Sequence, residues 1–387
     1  SDPSYWIMED IENGPDKEWD KNNIRARQDI LGTLKNPVEY WKIGEGAEKP
    51  DNSFVEKGKE KMNIQEELKS LIQNGGCRQL VLTGAPGTGK TYMAKKIAGE
   101  LGDGGYELVQ FHPSYDYTDF VEGIRPVENN GQISYVRLDG IFKAYCRKIV
   151  EAGDKEKLYF FIIDEINRAD LSKVFGELMY CLEKDKRGAA SGRTKTQYSN
   201  LKTYDADNCK YMERDVFADG FYIPENLVII GTMNDIDRSV DSMDFALRRR
   251  FEWREVIVDE KLLTDAFESK KPEGKYVFGK IIAENAEKLA SHICDFNEKI
   301  IRNRGRDYGL NRQYDISQGQ FANLPDNITS MEGIGEGDDY MKLLEYVWMY
   351  RIESLLREYL RGEDEVEEYI ESARKLFIGS EADYGNY

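Results

Sequence analysis

The sequence has few of the residues on which many enzymes and metalloproteins depend. His112 and His292 are its only histidines, which argues against histidine-based catalysis and against a histidine metal site. The five cysteines are scattered and form no C-x-x-C pair, so we expect reduced thiols and no zinc site. No apolar run approaches the length of a membrane span, and no signal-peptide pattern opens the chain. These absences predict a soluble, cytoplasmic protein.

Positive charge is also in short supply. The 387 residues include 54 Lys and Arg against 72 Asp and Glu, a formal net charge of −18. Phosphate neutralisation needs clustered cations, so this composition argues against broad binding of nucleic acid. A contact with DNA would need a local basic patch, another subunit or a further domain.

What the chain does have is a glycine-rich turn after a short apolar run. Leu80, Val81 and Leu82 predict a buried strand, residues 84–91 match the pattern G-x-x-x-x-G-K-[ST] in full, and residues 91–98 predict a helix. Glycines let backbone N–H groups turn toward phosphates, at the positive end of a helix. The strand–loop–helix context disfavours a plain structural turn. The predicted nucleotide-binding residues are Gly84, Ala85, Pro86, Gly87, Thr88, Gly89, Lys90, Thr91 and Tyr92.

Two acids directly follow a second buried strand. Residues 158–163 form a continuous apolar run, which is typical of a central parallel strand, and Asp164 and Glu165 come next. Asp164 would hold Mg²⁺ through water together with the Thr91 hydroxyl, and Glu165 would polarise the attacking water. The alternative is an acidic helix start. The phosphate loop upstream favours the catalytic interpretation.

Further candidates follow the next strand, residues 226–232. Asn234 is suited to reach the γ-phosphate or the attacking water from the end of that strand. Arg248, Arg249 and Arg250 close a predicted helix over residues 241–247. They are either cations favoured by the helix dipole or the source of an arginine finger for a neighbouring subunit.

Element alternation predicts the architecture. Strands and helices alternate over 75–258, and Trp253–Val258 is predicted to close the sheet, which indicates a doubly wound parallel α/β domain. The domains we predict are an N-terminal segment or remnant of an upstream domain (1–56), an α/β nucleotide-binding domain (57–258) and a small helical lid domain (259–387). Residues 184–222 are polar and basic, typical of a solvated loop, with a pore-facing or partner-contacting role as the alternative.

Several separate segments resemble one family in order. They are residues 110–115, 119–123 and 125–126, then 164–169 and 171–177, then 222–226, 231–234 and 237–239, then Asp244 with 246–251, and the helical tail around Trp348, Ile352 and 355–359. The chain resembles the AAA+ P-loop NTPases and, within them, the McrB family, the motors of modification-dependent restriction systems.

The resemblance implies a ring, hexameric in the family, with GTP or ATP between subunits and Arg249 or Arg250 reaching across the interface. It also implies a McrC-like partner nuclease, Glu165 as the catalytic base and Asn234 as the sensor. One departure is the pair Asp235 and Ile236 before Asp237. Another is residues 317–321, SQGQF in place of a lid motif resembling GHSYF, which puts the lid's nucleotide contacts in doubt.

The nucleotide and the task stay open at this stage. The resemblance favours GTP over ATP, and Asn234 with Asp237 mimics a guanine-reading N-K-x-D, although Asn234 is expected to face the γ-phosphate instead. The first hypothesis is a motor that drives a nuclease on DNA. The alternatives are an AAA+ ATPase that remodels protein complexes without a DNA role, and a scaffold that binds nucleotide but barely hydrolyses it. The complete hydrolytic set argues against a scaffold.

Overall fold

The part of the chain that the computed structural model describes starts at Asn63. It comprises residues 63–129, 131–188, 192–234, 236, 245–269, 277–322, 324 and 339–379. The predicted N-terminal segment and Asp237, Arg238, Ser239 and Asp244 lie outside these residues. The domain boundaries stay predictions.

The described strands, in chain order, are β1 Gln79–Thr83, β2 Tyr106–Gln110, β3 Glu122–Asn129, β4 Gln132–Asp139, β5 Tyr159–Asp164, β6 Tyr204–Asp205, β7 Lys210–Tyr211, β8 Leu227–Thr232 and β9 Glu252–Glu255. Five of them form a parallel sheet in the order β2-β5-β8-β1-β9. Non-sequential strand order is characteristic of a doubly wound fold. The predicted α/β fold is confirmed.

The described α-helices are α1 Ile64–Gln73, α2 Lys90–Leu101, α3 Tyr117–Phe120, α4 Ile141–Ala152, α5 Leu171–Phe175, α6 Phe245–Arg248, α7 Glu260–Glu268, α8 Val277–Glu284, α9 Ala286–Phe296, α10 Asp339–Val347, α11 Glu353–Tyr359 and α12 Val366–Ile378. Short 3₁₀ or π segments extend several of them; Gly176–Leu182 continues α5 as a 3₁₀ helix. Each helix in the described part of the chain is too short or too polar to span a lipid bilayer.

Both faces of the parallel sheet are buried. In β5, Phe160 and Ile162 pack on the face that carries α1 and α2, whereas Phe161 and Ile163 pack on the face that carries α4 and α5. Because successive side chains of a strand point to opposite faces, a strand covered on both sides has to be apolar throughout. This is why the central strands are continuous apolar runs in the sequence.

The helices that follow β9 bury a core of their own. Trp348 and Phe296 are each about 1% exposed in this core, and their rings pack edge to face. The ring of Phe377 packs against both, edge to face with Phe296 and tilted against Trp348. This second core also includes Ala85 from the glycine-rich loop. The helical part therefore packs against the loop that the sequence singled out.

Two segments differ from the sequence-based expectation. Strands β3 and β4 pair antiparallel, from Glu122 with Asp139 to Asn129 with Gln132, which periodicity did not predict. Residues 184–222 are not a solvated loop throughout, because Arg187, Thr203 and Phe221 are buried and Arg187 donates to the carbonyl of Pro224. The expectation of a solvated loop was wrong for these residues, because the polar groups of Arg187 and Thr203 find hydrogen-bond partners inside the protein and do not need solvent.

A buried ion cluster joins these two segments. Its members are Glu122, Arg137, Asp139, Lys143, Arg147 and Asp215. Glu122 is fully buried; it accepts from the Lys143 ammonium and from the backbone N–H of Tyr198 (2.7 Å). Although burial alone would raise the pKa of the Glu122 carboxyl, Lys143 and these hydrogen bonds hold it below its ordinary value. The carboxylate is thus charged in the folded protein and depends on its partners.

Lys143→Met should destabilise the fold strongly. The change leaves Glu122 buried with Arg137 at 3.7 Å as its nearest remaining cation. Removing one member of a buried pair costs about 3–5 kcal/mol. Denaturant unfolding would measure the loss, and Lys148→Met on the same helix, an exposed position, is the control. A loss no larger than that of Lys148→Met would contradict the role given to the cluster.

Candidate active site

The glycine-rich loop connects β1 to α2 in a conformation that requires glycine. Gly84 has φ +130°, and a Cβ there would lie 2.6 Å from the carbonyl oxygen of Val256. Gly87 has φ +78°, and a Cβ there would lie 2.7 Å from Ser317 Oγ. A positive φ at both positions, together with a backbone atom 2.6 Å from the Cβ at Gly84 and 3.1 Å from that at Gly87, disfavours any other residue there. The loop is therefore tightly fixed against β9's end and against the helical part.

Lys90 begins α2 and is almost fully buried. Its Nζ donates to the carbonyl oxygens of Gly84 (3.0 Å) and Ala85 (2.8 Å) within the loop. These are neutral acceptors, and an ammonium makes stronger hydrogen bonds to an ionised oxygen such as that of a phosphate. The lysine is held at the loop with a charge that an anion can engage.

Asp164 ends β5 and connects the loop to the neighbouring strand. Its Oδ1 accepts from the hydroxyl of Thr91 (2.6 Å) and from that of Thr232 (2.6 Å) at the end of β8. Parallel strands bring their carboxyl ends to one edge, and β8 lies between β5 and β1. Three elements distant in sequence meet at this carboxylate oxygen.

Glu165 lies beside Asp164 with its carboxylate held on both oxygens. Oε1 accepts from Asn234 Nδ2 (2.7 Å), and Oε2 pairs with Arg168 Nε (3.3 Å). The residue has φ +52°, a left-handed conformation that costs a non-glycine residue on the order of 1 kcal/mol and is often found at functional sites. The strained backbone turns Glu165 toward the end of β8.

Oxygen ligands for a hard cation are present at this edge. The Thr91 hydroxyl donates to Asp164 Oδ1 (2.6 Å), so an Mg²⁺ held by Thr91 Oγ1 would have the Asp164 carboxylate beside it, within reach through a water ligand. Among the described residues no group of three or more His, Cys, Asp or Glu could hold a metal ion. This donor set fits Mg²⁺, which takes one or two protein carboxylates and fills its shell with water and substrate phosphates.

The helical part reaches the loop through residues 317–319. Ser317 Oγ donates to the carbonyl of Pro86 (2.8 Å), Gln318 Nε2 to that of Thr88 (2.7 Å) and the Gly319 N–H to that of Gly87 (3.1 Å). The difference between residues 317–321 and the expected lid motif puts contacts of this segment with the nucleotide in doubt. What the structure shows is that the segment contacts the glycine-rich loop.

The arginines after α6 lie at the opposite end of the sheet. Arg249 and Arg250 line a cleft with Gln79, the first residue of β1, so the whole strand separates them from the loop of their own chain. Arg250 pairs with Glu183 (2.6 Å) and its side chain is 11% exposed, whereas that of Arg249 is 69% exposed. The Arg248 guanidinium lies 4.5 Å from the ring centre of Trp253.

The structure thus brings together Lys90, Thr91, Asp164, Glu165 and Asn234, and leaves Arg249 and Arg250 apart from them. Tyr92 is 69% exposed on the first turn of α2. Sequence reasoning missed the Thr232 hydroxyl and the ion pair of Arg168 with Glu165. The sequence position of each residue could have indicated its role, since Thr232 ends the strand before Asn234 and Arg168 follows Glu165 by three residues.

Residues 79–251 match the AAA domain family, dynein-related subfamily. Over 229 residues the chain is 39% identical to the type IV methyl-directed restriction enzyme EcoKMcrB subunit of Escherichia coli K12, a match that covers 58% of this chain and 43% of that subunit. Over 210 residues it is 30% identical to the type II restriction enzyme BsuMI component YdiS of Bacillus subtilis 168, covering 46% of this chain and 57% of that component.

The chain spans about half the length of these curated relatives. A crystal structure of a candidate ATPase from Cytophaga hutchinsonii is 14% identical over 80% of each chain, with a TM-score of 0.33, too low to carry an argument. The family match begins at β1 and ends just after the arginines, so it contains the loop, the two acids and Asn234. The sheet and the site agree with these matches: the chain has the α/β P-loop NTPase core of the AAA domain family that residues 79–251 match, and it is similar to two components of restriction enzymes.

Proposed function

We propose that this chain is the motor subunit of a McrB-type restriction system, a cytoplasmic ring that hydrolyses GTP to drive a partner nuclease on DNA. The observation that carries the proposal is the meeting, at one sheet edge, of a carboxylate held by Thr91 and a carboxylate held by Asn234, beside Lys90. ATP is the alternative substrate.

Binding starts at the loop. Backbone N–H groups and the positive end of α2 surround the triphosphate. Lys90 Nζ exchanges the neutral carbonyls of Gly84 and Ala85 for β- and γ-phosphate oxygens. Thr91 and Asp164 would hold Mg²⁺, which neutralises phosphate charge when bound.

Hydrolysis depends on Glu165 and Asn234. The Glu165 carboxylate accepts a proton from the attacking water as the water oxygen bonds to the γ-phosphorus. The bond from that phosphorus to the β–γ bridging oxygen breaks in the same reaction, and the nucleoside diphosphate leaves with that oxygen. Asn234 donates to Glu165 Oε1, so its side chain is engaged at the phosphate end of the site and does not contact the nucleobase. Other residues would therefore have to recognise guanine, and the choice of GTP over ATP rests on the resemblance to the McrB family alone.

The position of the arginines supports a ring. Arg249 and Arg250 lie a full strand length from the loop of their own chain, so they can act only on a nucleotide held by a neighbour. Head-to-tail interfaces of this kind close into rings, and six subunits are expected from the family. Of the three arginines, Arg249 has the most exposed guanidinium that is not stacked on a ring, and we assign the finger to it.

The partner is inferred from the relatives. Both curated proteins are parts of restriction enzymes, and a McrC-like nuclease is the subunit that such a motor would drive. With a net charge of −18, the chain is expected to reach DNA through that partner, a local patch or a further domain. Indifference of turnover to both DNA and a McrC-like partner would favour the remodelling ATPase instead.

GTP should bind at least about tenfold more tightly than ATP, a difference of about 1.4 kcal/mol. Titration calorimetry with each nucleotide and Mg²⁺ measures this. Lys90→Ala should remove binding of both nucleotides because the ammonium is lost, whereas Lys95→Ala, an exposed lysine of the same helix, should bind as the unchanged chain does. Tighter binding of ATP would overturn the GTP assignment while leaving the hydrolase standing.

Glu165→Gln should lower the hydrolysis rate by about 10²–10⁴-fold, because the amide cannot take the proton from water. Its oxygen still accepts from Asn234, so nucleotide affinity should stay within about twofold of that of the unchanged chain, a change of under 0.5 kcal/mol. Phosphate release and nucleotide titration measure the two effects. Glu151→Gln, at an exposed position on α4, is the matched control. Undiminished hydrolysis in Glu165→Gln would exclude this residue as the base.

Arg249→Ala should abolish hydrolysis while each chain still binds nucleotide. When it is mixed one to one with Glu165→Gln, activity should return, because about a quarter of head-to-tail interfaces then join an intact Glu165 to an intact Arg249 of the neighbour. Phosphate release across mixing ratios is the measurement, with Arg374→Ala, exposed on α12, as control. Failure of the mixture to recover any activity would argue that Arg249 does not act across an interface.

A further inference from the structure

Three successive carbonyl groups of the glycine-rich loop accept hydrogen bonds from three successive residues of the helical part. Ser317 bonds to Pro86, Gly319 to Gly87 and Gln318 to Thr88, at 2.8, 3.1 and 2.7 Å. The donors are a hydroxyl, a backbone N–H and a side-chain amide. We call residues 317–319 the backing segment.

The geometry of the peptide group also determines where the N–H groups on the opposite side of the loop point. In a trans peptide the C=O of one residue and the N–H of the next point in opposite directions. Holding the carbonyls of Pro86, Gly87 and Thr88 on the backing segment therefore directs the N–H groups of Gly87, Thr88 and Gly89 away from it. Within the described part of the chain these three N–H groups donate to no other backbone group.

The fit between segment and loop is steric as well as polar. A Cβ on Gly319 would lie 2.6 Å from the Cα of Gly87, and a Cβ on Gly87 would lie 3.1 Å from the Cα of Gly319. Two backbones thus touch at a pair of glycines. Even one methyl group between them would push the segment off the loop.

The backing segment is itself fixed by buried groups. Asn297, about 1% exposed, accepts from the N–H of Ile316 and donates to its carbonyl, both at 2.8 Å. Asp315, equally buried, pairs with Arg302 (2.5 Å). The two residues before Ser317 are therefore anchored to the helical core, which makes the segment a firm support.

We propose that Ser317, Gln318 and Gly319 are positioning residues for the triphosphate. They hold three loop peptides with their N–H groups turned toward the phosphates, and they contact the loop from behind. A hydrogen bond to the carbonyl of a peptide also strengthens the donor at its N–H, since chains of hydrogen bonds polarise one another. The inference rests on the proposed function, because the aligned N–H groups need an anion to bind.

The test is binding of inorganic triphosphate and of GTP and ATP with Mg²⁺ to the full chain. Gly319→Ala inserts a methyl between the two backbones and should weaken all three ligands by at least about tenfold, the equivalent of one hydrogen bond of about 1.4 kcal/mol. Gly99→Ala adds the same methyl on α2, where a Cβ meets nothing within 4 Å, and should bind as the unchanged chain does.

A second variant separates hydrogen bonding from bulk. Gln318→Met keeps the length of the side chain, removes its donor to Thr88 and should weaken the phosphate ligands by about three- to tenfold, which corresponds to about 0.7–1.4 kcal/mol. Gln320→Met is the neighbouring control, and thermal unfolding of each variant reports whether the fold has changed. Weaker triphosphate binding at an unchanged melting temperature supports the positioning role.

Two other outcomes count against the inference in different ways. If the unchanged chain binds triphosphate and both variants bind it equally well, the positioning role is overturned and the proposed function stands. If the unchanged chain binds neither inorganic triphosphate nor a nucleotide at millimolar concentration, the proposed function fails and the inference fails with it.

Discussion

The site depends on one carboxylate oxygen. Asp164 Oδ1 accepts two hydroxyl groups, one from the first turn of α2 and one from the end of β8, each at 2.6 Å. The pair of bonds sets the distance between the glycine-rich loop and the two strands beside it. Because Glu165 follows Asp164 and donates its N–H to the Thr232 hydroxyl, the same contact also fixes the position of the Glu165 carboxylate.

Much of this arrangement can be predicted from short stretches of the sequence. The loop needs glycines where φ is positive, and β5 needs unbroken apolar residues because helices cover both faces of the sheet. Each requirement leaves a short pattern that can be read without any distant contact. The same holds for Asp164, Glu165 and Asn234, which stand where buried strands end and where parallel topology brings strand ends together.

Other parts depend on partners far along the chain. Gln318 contacts Thr88 across 230 positions, and no periodicity marks that pairing. The hairpin β3–β4 was missed because burial in β4 does not follow its sequence pattern: Ile133 and Tyr135 are exposed, whereas Val136 is buried. Residues 184–222 were predicted to be solvated because the sequence does not distinguish a charged residue that forms an ion pair with a buried partner, as Asp215 does with Arg147, from one that lies on the surface.

The touching glycines Gly87 and Gly319 have a consequence for how such a chain can change during descent. Neither position can gain a side chain without parting the backbones, and a smaller residue that could compensate at the other position does not exist. We therefore expect the two glycines either to be kept together or to be lost together. A lineage that abandoned one glycine would have to rebuild the support of its nucleotide loop from a different part of the helical layer.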